Sequence, residues 1–232
     1  MALLHALVRL RKELDFRLLA LSVDHGLRPE ARQEVLLVQS FCEEQQVEFQ
    51  GLQLHLSKTP NLQEVARDAR YAALWNATRS ALGQGAFLAT AHHKQDKAET
   101  VLLRILRGTS LAGLGVLKAR ESQLLRPAIH ADKLDVLAHL KRHAVRYADD
   151  PSNHDRQFLR VRIRNELMPL LSGLSAGVVD HLVALADEAA RGDAAIGLNR
   201  EQREQLRNAL REPKSAIDLR LPAGLRLWRE KP

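Results

Sequence analysis

Two adjacent histidines and two carboxylates near the middle of the sequence are the residues best suited to chemistry. Asp96 and Glu99 are three positions apart, so on a helix they share a face and could together bind Mg²⁺ beside a triphosphate. The same spacing at a helix start is also typical of a capping arrangement. His92 and His93 could be metal ligands, or one could pack while the other caps the helix, which is the commoner case for an isolated pair. Spacing alone leaves these alternatives open.

The segment that carries these residues has the pattern of a strand, a polar turn and an amphipathic helix. Residues 87–91 are apolar and predict a buried strand. The following helix has an apolar stripe and is predicted to stop at Gly108. The stripe consists of Ala98, Val101, Leu102, Ile105 and Leu106. The polar residues should therefore lie at the carboxyl end of a strand, where open parallel sheets bind ligands.

The chain before this segment alternates helices and strands. Helices are predicted at residues 1–13 and 29–45 and after the capping residue Asn61, and strands at residues 16–23 and 47–56. These spacings predict right-handed parallel βαβ units, and hence a Rossmann-like α/β fold with helices on both faces of a parallel sheet. The first strand ends in Asp24 and His25, a second polar turn that favours a shared cleft.

Positive charge is concentrated in the second half of the chain. The 35 Lys+Arg against 28 Asp+Glu give a net charge of +7, which favours a polyanionic partner but is equally compatible with a solvated basic surface. Clusters at residues 141–146 and 160–166 support the polyanion interpretation. Arg160 and Arg164 are four residues apart and would face together toward a phosphate or carboxylate group, although a solvated helix face is the commoner arrangement.

Several classes of function lack support. The single cysteine, Cys42, excludes a disulfide framework or a paired-cysteine metal site, and its apolar helical setting predicts a plain core thiol. No apolar run is long enough for a membrane span, and Arg9 interrupts the N-terminal apolar residues, so no secretory signal is predicted. A cytoplasmic protein without membrane contact is expected. The hydrolase elbow, the dinucleotide fingerprint and the Walker loop do not occur.

The composition changes after about residue 174. A helix is predicted near residues 132–143, and another at 158–171 that Pro169 and Gly173 should end. An Ala-rich helix to Arg191, a helix at 199–211 and a small hairpin at 217–228 follow. We therefore expect one domain at residues 1–173 and a mainly helical C-terminal region at residues 174–232.

Five segments of the chain, in order, resemble one family, the tRNA(Ile)-lysidine synthetases of the PP-loop ATP pyrophosphatase class. They read SVDHGLRPEA (22–31), ARDARYAAL (66–74), TAHHKQDKAETVLLRILRGTSLAGLGVL (90–117), LLRPAI (124–129) and DDPSNHDRQFLRVRIRNELMPLL (149–171). The third and fifth segments are long and specific to this family. The resemblance covers roughly residues 1–175.

The resemblance implies a ligase that forms a carbon–nitrogen bond. It would adenylate C2 of the wobble cytidine of a tRNA(Ile) with a CAU anticodon, using ATP and Mg²⁺, and L-lysine would then displace AMP. By position, Asp96 and Glu99 would bind the metal and, with His92, act in catalysis. The expected nucleotide-binding residues are Asp24, His25, Arg28, His93 and Arg107. The expected tRNA-binding or phosphate-binding residues are Arg70, Arg160 and Arg164.

Three features depart from the family pattern. The pyrophosphate-binding motif Ser-Gly-Gly-x-Asp-Ser does not occur, and residues 1–7 resemble the segment that directly follows it, so an N-terminally truncated domain is expected. Gln95 and Lys97 replace an acidic residue and a glutamine, although Lys97 could itself reach a phosphate. Val161 replaces an asparagine. A catalytically inactive relative that retains only tRNA binding is therefore an alternative, and a homodimer is possible.

Overall fold

The computed structural model describes residues 1–24, 31–54, 62–148, 155–196, 217–220 and 226–229. The helices are α1 (Ala2–Leu14), α2 (Ala31–Glu44), α3 (Leu62–Leu82), α4 (Lys94–Leu106), α5 (Lys133–Arg142), α6 (Leu159–Arg162), α7 (Met168–Leu174) and α8 (Val178–Ile196). The strands are β1 (Leu19–Asp24), β2 (Glu48–Gln53), β3 (Leu88–Ala89), β4 (Arg120–Glu121), β5 (Leu124–Leu125), β6 (Ile217–Arg220) and β7 (Arg226–Arg229). A 3₁₀ turn spans Leu111–Leu114 and a π-helical turn spans Ile163–Leu167.

The first βαβ unit confirms the predicted parallel arrangement. β1 and β2 pair in parallel from Leu19↔Glu48 to Asp24↔Gln53. Because strand side chains alternate between faces, Ala20 packs with Val8 of α1 and Cys42 of α2, whereas Leu21 points to the opposite face, toward α3. Helices therefore cover both faces of this pair of strands. Cys42 is fully buried in the core, as predicted, and burial raises the pKa of its thiol.

The second group of strands is smaller than the sequence predicts. The strand predicted at 87–91 is only Leu88–Ala89, and Phe87 is 47% exposed with the Arg120 guanidinium over its ring. β3 pairs in parallel with β5, which in turn pairs antiparallel with β4. Neither β4 nor β5 was predicted, since two-residue strands leave no periodic signal. Among the described strands, this group and the β1–β2 pair share no hydrogen-bonded register, and α3 contacts both.

Helix α4 forms as predicted but buries less of its apolar stripe. Ala98 and Val101 are fully buried, whereas Ile105 and Leu106 in the last turn are about half exposed. Gly108 follows the helix with φ of 75°, a conformation that favours glycine, and so provides the expected stop. The apolar stripe therefore packs into the core as far as Leu102 and Leu103, and only its last two members remain exposed.

The helix predicted at residues 158–171 forms, but it continues to Leu174, past both Pro169 and Gly173, which were expected to close it. The chain passes from α6 through the π-helical turn into α7, and Pro169 lies in the first turn of α7. A π-helical turn shifts the hydrogen-bond register, and proline is tolerated in a first helical turn because its missing N–H has no partner there. The prediction was wrong because it treated the segment as a single α-helix interior.

Helix α8 packs along α4. Val101 contacts Ala186 and Ala189 in one core cluster, and the small residue Gly115 lets the chain approach α8 closely. A Cβ at Gly115 would lie 3.0 Å from the backbone nitrogen of Ala190. The domain division at residue 173 stays a prediction.

At the C-terminal end, β6 and β7 form the predicted antiparallel hairpin. The helix predicted at 199–211 lies outside the described residues. Within the described residues no single helix has the length and hydropathy to cross a membrane. One pair of helices (Leu159–Leu174 with Val178–Arg191) passes the same criteria together but is bent by 102°.

Three histidines join α1 to α5. His5 Nδ1 lies 2.8 Å from His139 Nε2, and the His143 ring centroid is 4.8 Å from that of His5 and 4.7 Å from that of His139. Arg9 Nη1 lies 3.4 Å from His143 Nδ1. Burial, and then the neighbouring cationic groups, lower the pKa of His5 and of His143. The neutral imidazoles are therefore the form that this helix contact favours.

We expect the stability of the fold to fall as the pH drops below about 6.5, because the unfolded chain then binds protons at His5, His143 and His92, whose pKa values are lowered in the fold. Melting temperatures from pH 8 to pH 5 would measure this. His5→Phe keeps a ring between the helices but removes one titrating group, so its melting temperature should depend less on pH. His130→Phe, outside the cluster, is the control and should follow the unsubstituted protein. Equal pH dependence in both variants would contradict the assignment.

Candidate active site

The turn between β3 and α4 presents His92 and His93 at the carboxyl end of a parallel strand, as predicted. His93 is the N-cap of α4, and its backbone N–H donates to Asp96 Oδ2 at 3.0 Å in a capping box. The capping alternative for the histidine is therefore confirmed, whereas Asp96 caps from the third helical position, paired with His93 and not with Glu99 as the sequence suggested. His93 Nδ1 is buried without a hydrogen-bond partner. A buried unpartnered nitrogen costs free energy unless something binds it, so it is a position where a ligand group would be favourable.

His92 is held as a neutral ring. Its Nδ1 lies 3.0 Å from Thr90 Oγ1. Burial lowers the pKa of His92 to about 4, Asp96 opposes the shift, and the cations Arg126, Arg160 and Arg67 add to it. The imidazole is therefore uncharged at neutral pH, and the shift itself records that several arginines converge near this ring.

The carboxylates of α4 bind the two arginines that the sequence singled out. Glu99 Oε1 accepts from Arg164 Nε at 2.7 Å, and Glu99 Oε2 accepts from Arg160 Nε at 3.1 Å and from Arg164 Nη2 at 2.9 Å. Asp96 Oδ1 lies 3.1 Å from Arg160 Nη2 and 3.4 Å from Arg164 Nη2. We call these four residues the α4 ion-pair network. Arg160 and Arg164 do face together, as predicted, but toward carboxylates of the chain itself.

The π-helical turn contributes to this geometry. Arg160 lies in α6 and Arg164 in the turn that follows, so the two guanidiniums approach α4 from a segment with altered helical register. The side chain of Glu99 is 3% exposed, which requires full pairing of its charge. Hydrogen bonding to Glu99 raises the pKa of Arg164, so this guanidinium stays ionised at neutral pH.

The α4 ion-pair network does not present a metal site in this arrangement. Each of the four carboxylate oxygens of Asp96 and Glu99 already accepts from an N–H group. Mg²⁺ needs free oxygen ligands in octahedral geometry. Among the described residues, no group of three or more histidine, cysteine or acidic side chains could hold a metal ion. Metal binding by Asp96 and Glu99 stays a prediction, and it would require the arginines to move.

A cavity of about 310 Å³ lies beside this turn, between β1 and β3. Its apolar wall is formed by β1 and Leu74, and its polar end by Arg70, Tyr71 and His92. The Tyr71 hydroxyl is buried without a hydrogen-bond partner, and the guanidiniums of Arg67 and Arg70 lie 5.2 Å and 5.6 Å from the Tyr71 ring centroid. Burial lowers the pKa of Arg70. The cavity thus combines an apolar surface with unsatisfied donors and positive charge, which suits an anionic ligand with an aromatic or apolar part.

Sequence reasoning missed three residues of this region: Arg67, Tyr71 and Arg126. Arg126 is 3% exposed, donates to the Lys118 carbonyl at 2.8 Å and has a buried Nε without a partner. The sequence did contain a signal for Arg126, because it is an arginine inside an apolar segment and directly before a proline. A charged side chain in such a segment is rarely buried unless it has a partner.

The remaining predicted site residues are not all brought together. Asp24 ends β1, and its backbone carbonyl accepts from Leu54 N at 2.7 Å. His25 and Arg28 lie outside the described residues. Arg107 is the exposed C-cap of α4, about 20 Å along the helix axis from His93.

The two departures on α4 have structural partners. Gln95 bonds Asp132 Oδ1 at 3.0 Å and accepts from the backbone N–H of Lys133 at 2.9 Å. Lys97 is buried, and its Nζ lies 2.5 Å from Asp187 Oδ1 of α8. The suggestion that Lys97 reaches a phosphate is therefore wrong for this arrangement, because its ammonium is directed away from solvent toward α8.

Comparison with known proteins gives the family. A family model described as the PP-loop domain matches residues 1–171. This chain belongs to that family. A tRNA(Ile)-lysidine synthase of Bradyrhizobium sp. is 41% identical over 187 residues, covering 78% of this chain and 51% of the relative. The corresponding protein of Rhodopseudomonas palustris is 38% identical and that of Pseudomonas fluorescens 37% identical, and the alignments cover 60% and 39% of those proteins.

The chain therefore spans roughly half the length of the curated relatives it matches. A solved structure of the U34-tRNA thiolase NcsA from Methanococcus maripaludis has a TM-score of 0.69 over 82% of this chain and 67% of that one. At 19% identity this PP-loop likeness establishes the α/β fold alone.

We expect Glu99→Gln to destabilise the fold by about 3 kcal/mol, the lower end for a broken buried ion pair, because Arg160 and Arg164 still reach solvent. For a chain of this size that lowers the melting temperature by roughly 6–12 °C. Glu48→Gln is the matched control, since Glu48 also pairs with a guanidinium but on the surface, and it should leave the melting temperature unchanged. Equal melting temperatures for the two variants would contradict the pairing of Glu99.

Proposed function

We propose that this chain acts as a tRNA(Ile)-lysidine synthase, an ATP-dependent ligase that joins L-lysine to C2 of the wobble cytidine of a tRNA(Ile) with a CAU anticodon. The observation that carries the proposal is the α4 ion-pair network beside the cavity. It joins the two segments whose sequences are most specific to these enzymes, residues 90–117 and 149–171. The names of the relatives supply the substrate.

The reaction has two steps that balance without an oxidant or reductant. The oxygen on C2 of cytidine attacks the α-phosphorus of ATP, and pyrophosphate leaves. The free amine of lysine then attacks C2, AMP leaves with the former C2 oxygen, and the amine nitrogen loses a proton. Negative charge develops on phosphate oxygens in both steps, so fixed cations near the reacting atoms lower both barriers.

The chain supplies such cations at the polar end of the cavity. Arg70 lines the cavity directly, and Arg67 and Arg126 lie close enough to affect His92 electrostatically. We propose that these arginines bind phosphate oxygens of ATP. His92 has a pKa of about 4, which makes it a poor proton acceptor at neutral pH, so its proposed role is to contact the nucleotide as a neutral hydrogen-bonding ring.

Arg160 and Arg164 bind the carboxylates of α4, and they could contact a nucleic acid at the same time. Their side chains are 38% and 28% exposed, so both can be reached from solvent. We propose that they contact the tRNA near the wobble base while Asp96 and Glu99 hold them in place. The other basic cluster, residues 141–146, would contact the tRNA backbone, which makes binding salt-dependent.

The alternative is a catalytically inactive protein that only binds tRNA. It requires the same cationic side chains as the lysidine synthase, but not the adenylation and lysine transfer. Thiolation, the activity named for the NcsA structure, has less support because the only cysteine in the sequence is buried in the α1–α2 core. We propose L-lysine as a substrate and Mg²⁺ as the metal ion, and we expect a cytoplasmic location and a homodimer.

We expect the purified chain to incorporate labelled L-lysine into a tRNA(Ile) transcript in the presence of ATP and Mg²⁺. Nuclease digestion and mass spectrometry would identify lysidine at the wobble position. The same transcript with uridine at that position is the control. It should accept no lysine, because the cytidine that the proposed reaction modifies is absent. Salt-dependent binding of the transcript without any lysine incorporation would contradict the enzyme and favour the binding-only alternative.

We expect Arg70→Met to lower kcat/KM for ATP by about tenfold to a hundredfold, as for loss of one charge-stabilising group. Arg79→Met is the matched control. Arg79 lies on the same helix and also sits over an aromatic ring, that of Trp75, but outside the cavity. Steady-state kinetics with varied ATP would compare the two. Equal kinetics in both variants would exclude Arg70 from the nucleotide site.

A further inference from the structure

Lys97 is an unusual residue to find at the centre of a helix interface. It is among the largest fully buried side chains of the described residues, with an exposed side-chain fraction of 1%. Burying an ammonium group is costly unless a carboxylate pairs with it. Asp187 provides that carboxylate from α8, with Oδ1 at 2.5 Å from Nζ, and its own side chain is 30% exposed. The pair therefore fixes one point of α4 against one point of α8.

The two helices are held together by apolar and charged contacts. Val101 packs on Ala186 and Ala189. Lys94, one turn before Lys97, lies 2.9 Å from Asp180, but that aspartate is 68% exposed and Lys94 also pairs with Asp132. An exposed pair with an alternative partner contributes little. Lys97–Asp187 is therefore the directional contact between the helices, since packing of alanine and valine tolerates small rotations.

The position of Lys97 on α4 connects this contact to the α4 ion-pair network. It is the residue after Asp96 and two before Glu99, so a single helical turn directs Lys97 to α8 and the two carboxylates to the arginines. Each residue step turns the helix by about 100°. A rotation of α4 by a fraction of that step would separate Glu99 from Arg160 and Arg164, whose Nε atoms both donate to it.

We propose that Lys97 and Asp187 are positioning residues, which fix the rotation of α4 so that Asp96 and Glu99 hold Arg160 and Arg164 in the site. α8 then forms part of the active-site scaffold. The consequence for the reaction depends on the function proposed above, whereas the structural coupling does not.

The coupling can be read directly from the arginine Nε–H signals in ¹⁵N–¹H NMR spectra of the full chain. In the unsubstituted protein the Nε–H groups of Arg160 and Arg164 are bonded to Glu99 and should exchange slowly with water. We expect Lys97→Met and Asp187→Asn each to accelerate this exchange at least tenfold. They should also lower kcat for lysine incorporation about tenfold while KM for tRNA changes less than twofold, because the cations remain but are misplaced.

Asp180→Asn is the matched control, since it removes an α4–α8 ion pair but leaves Lys94 bonded to Asp132. Its exchange rates and kinetics should stay within twofold of the unsubstituted protein. Asp187→Glu keeps the carboxylate and should restore most of the slow exchange. The double variant Lys97→Met/Asp187→Leu replaces the pair by apolar side chains, which proteins commonly tolerate, and so covers the case in which a single variant fails to fold.

Slow Nε–H exchange in the folded double variant, or in Lys97→Met with only a lower melting temperature, would overturn the inference, because Lys97 would then contribute packing alone. Faster exchange in the double variant would support it even if the single variants do not fold. If the unsubstituted protein incorporates no lysine, the proposed function fails, but the exchange rates still decide whether Lys97 positions the arginines.

Discussion

The burial of Glu99 is the constraint on which the site depends. A carboxylate with 3% exposure must be paired, and the only cations that the described structure brings to both of its oxygens are Arg160 and Arg164. These arginines belong to a segment about 60 residues further along the chain. The ion pairs thus join the first half of the chain to the helices that follow it, and they hold two guanidiniums at the carboxyl end of β3.

Helix α4 has opposite charges on neighbouring faces, and each face has its own partner. Its carboxylates bind the arginines of α6 and the π-helical turn, whereas Lys94 and Lys97 bind aspartates of α8. The charged side chains in its first two turns are therefore all paired within the chain. Burial, and then the arginines near the ring, lower the pKa of His92 to about 4.

Much of the fold follows from the sequence. Apolar periodicity and capping residues predicted α1, α2, α4, α5 and the β1–α2–β2 unit. In such segments the secondary structure can be inferred from the residues of the segment itself. The sequence pattern could not predict β4 and β5, because each has only two residues. These strands form by pairing with each other, and β5 also pairs with β3. The passage of the helix through Pro169 was likewise not predicted, because apolar periodicity and capping residues do not reveal a π-helical turn.

The sequence by itself determined the family, the α/β class and the identity of the polar residues at the strand end, because residue types and spacings are local properties. The tertiary structure alone decided their partners. It placed Arg160 and Arg164 on Asp96 and Glu99, and Lys97 on Asp187. It also brought Arg67 and Arg126 near His92, and Arg70 into the cavity that His92 lines. The physical reason is that the free energy of a buried charge depends on which opposite charge lies within a few ångströms. That distance is set by the packing of helices far apart in the chain.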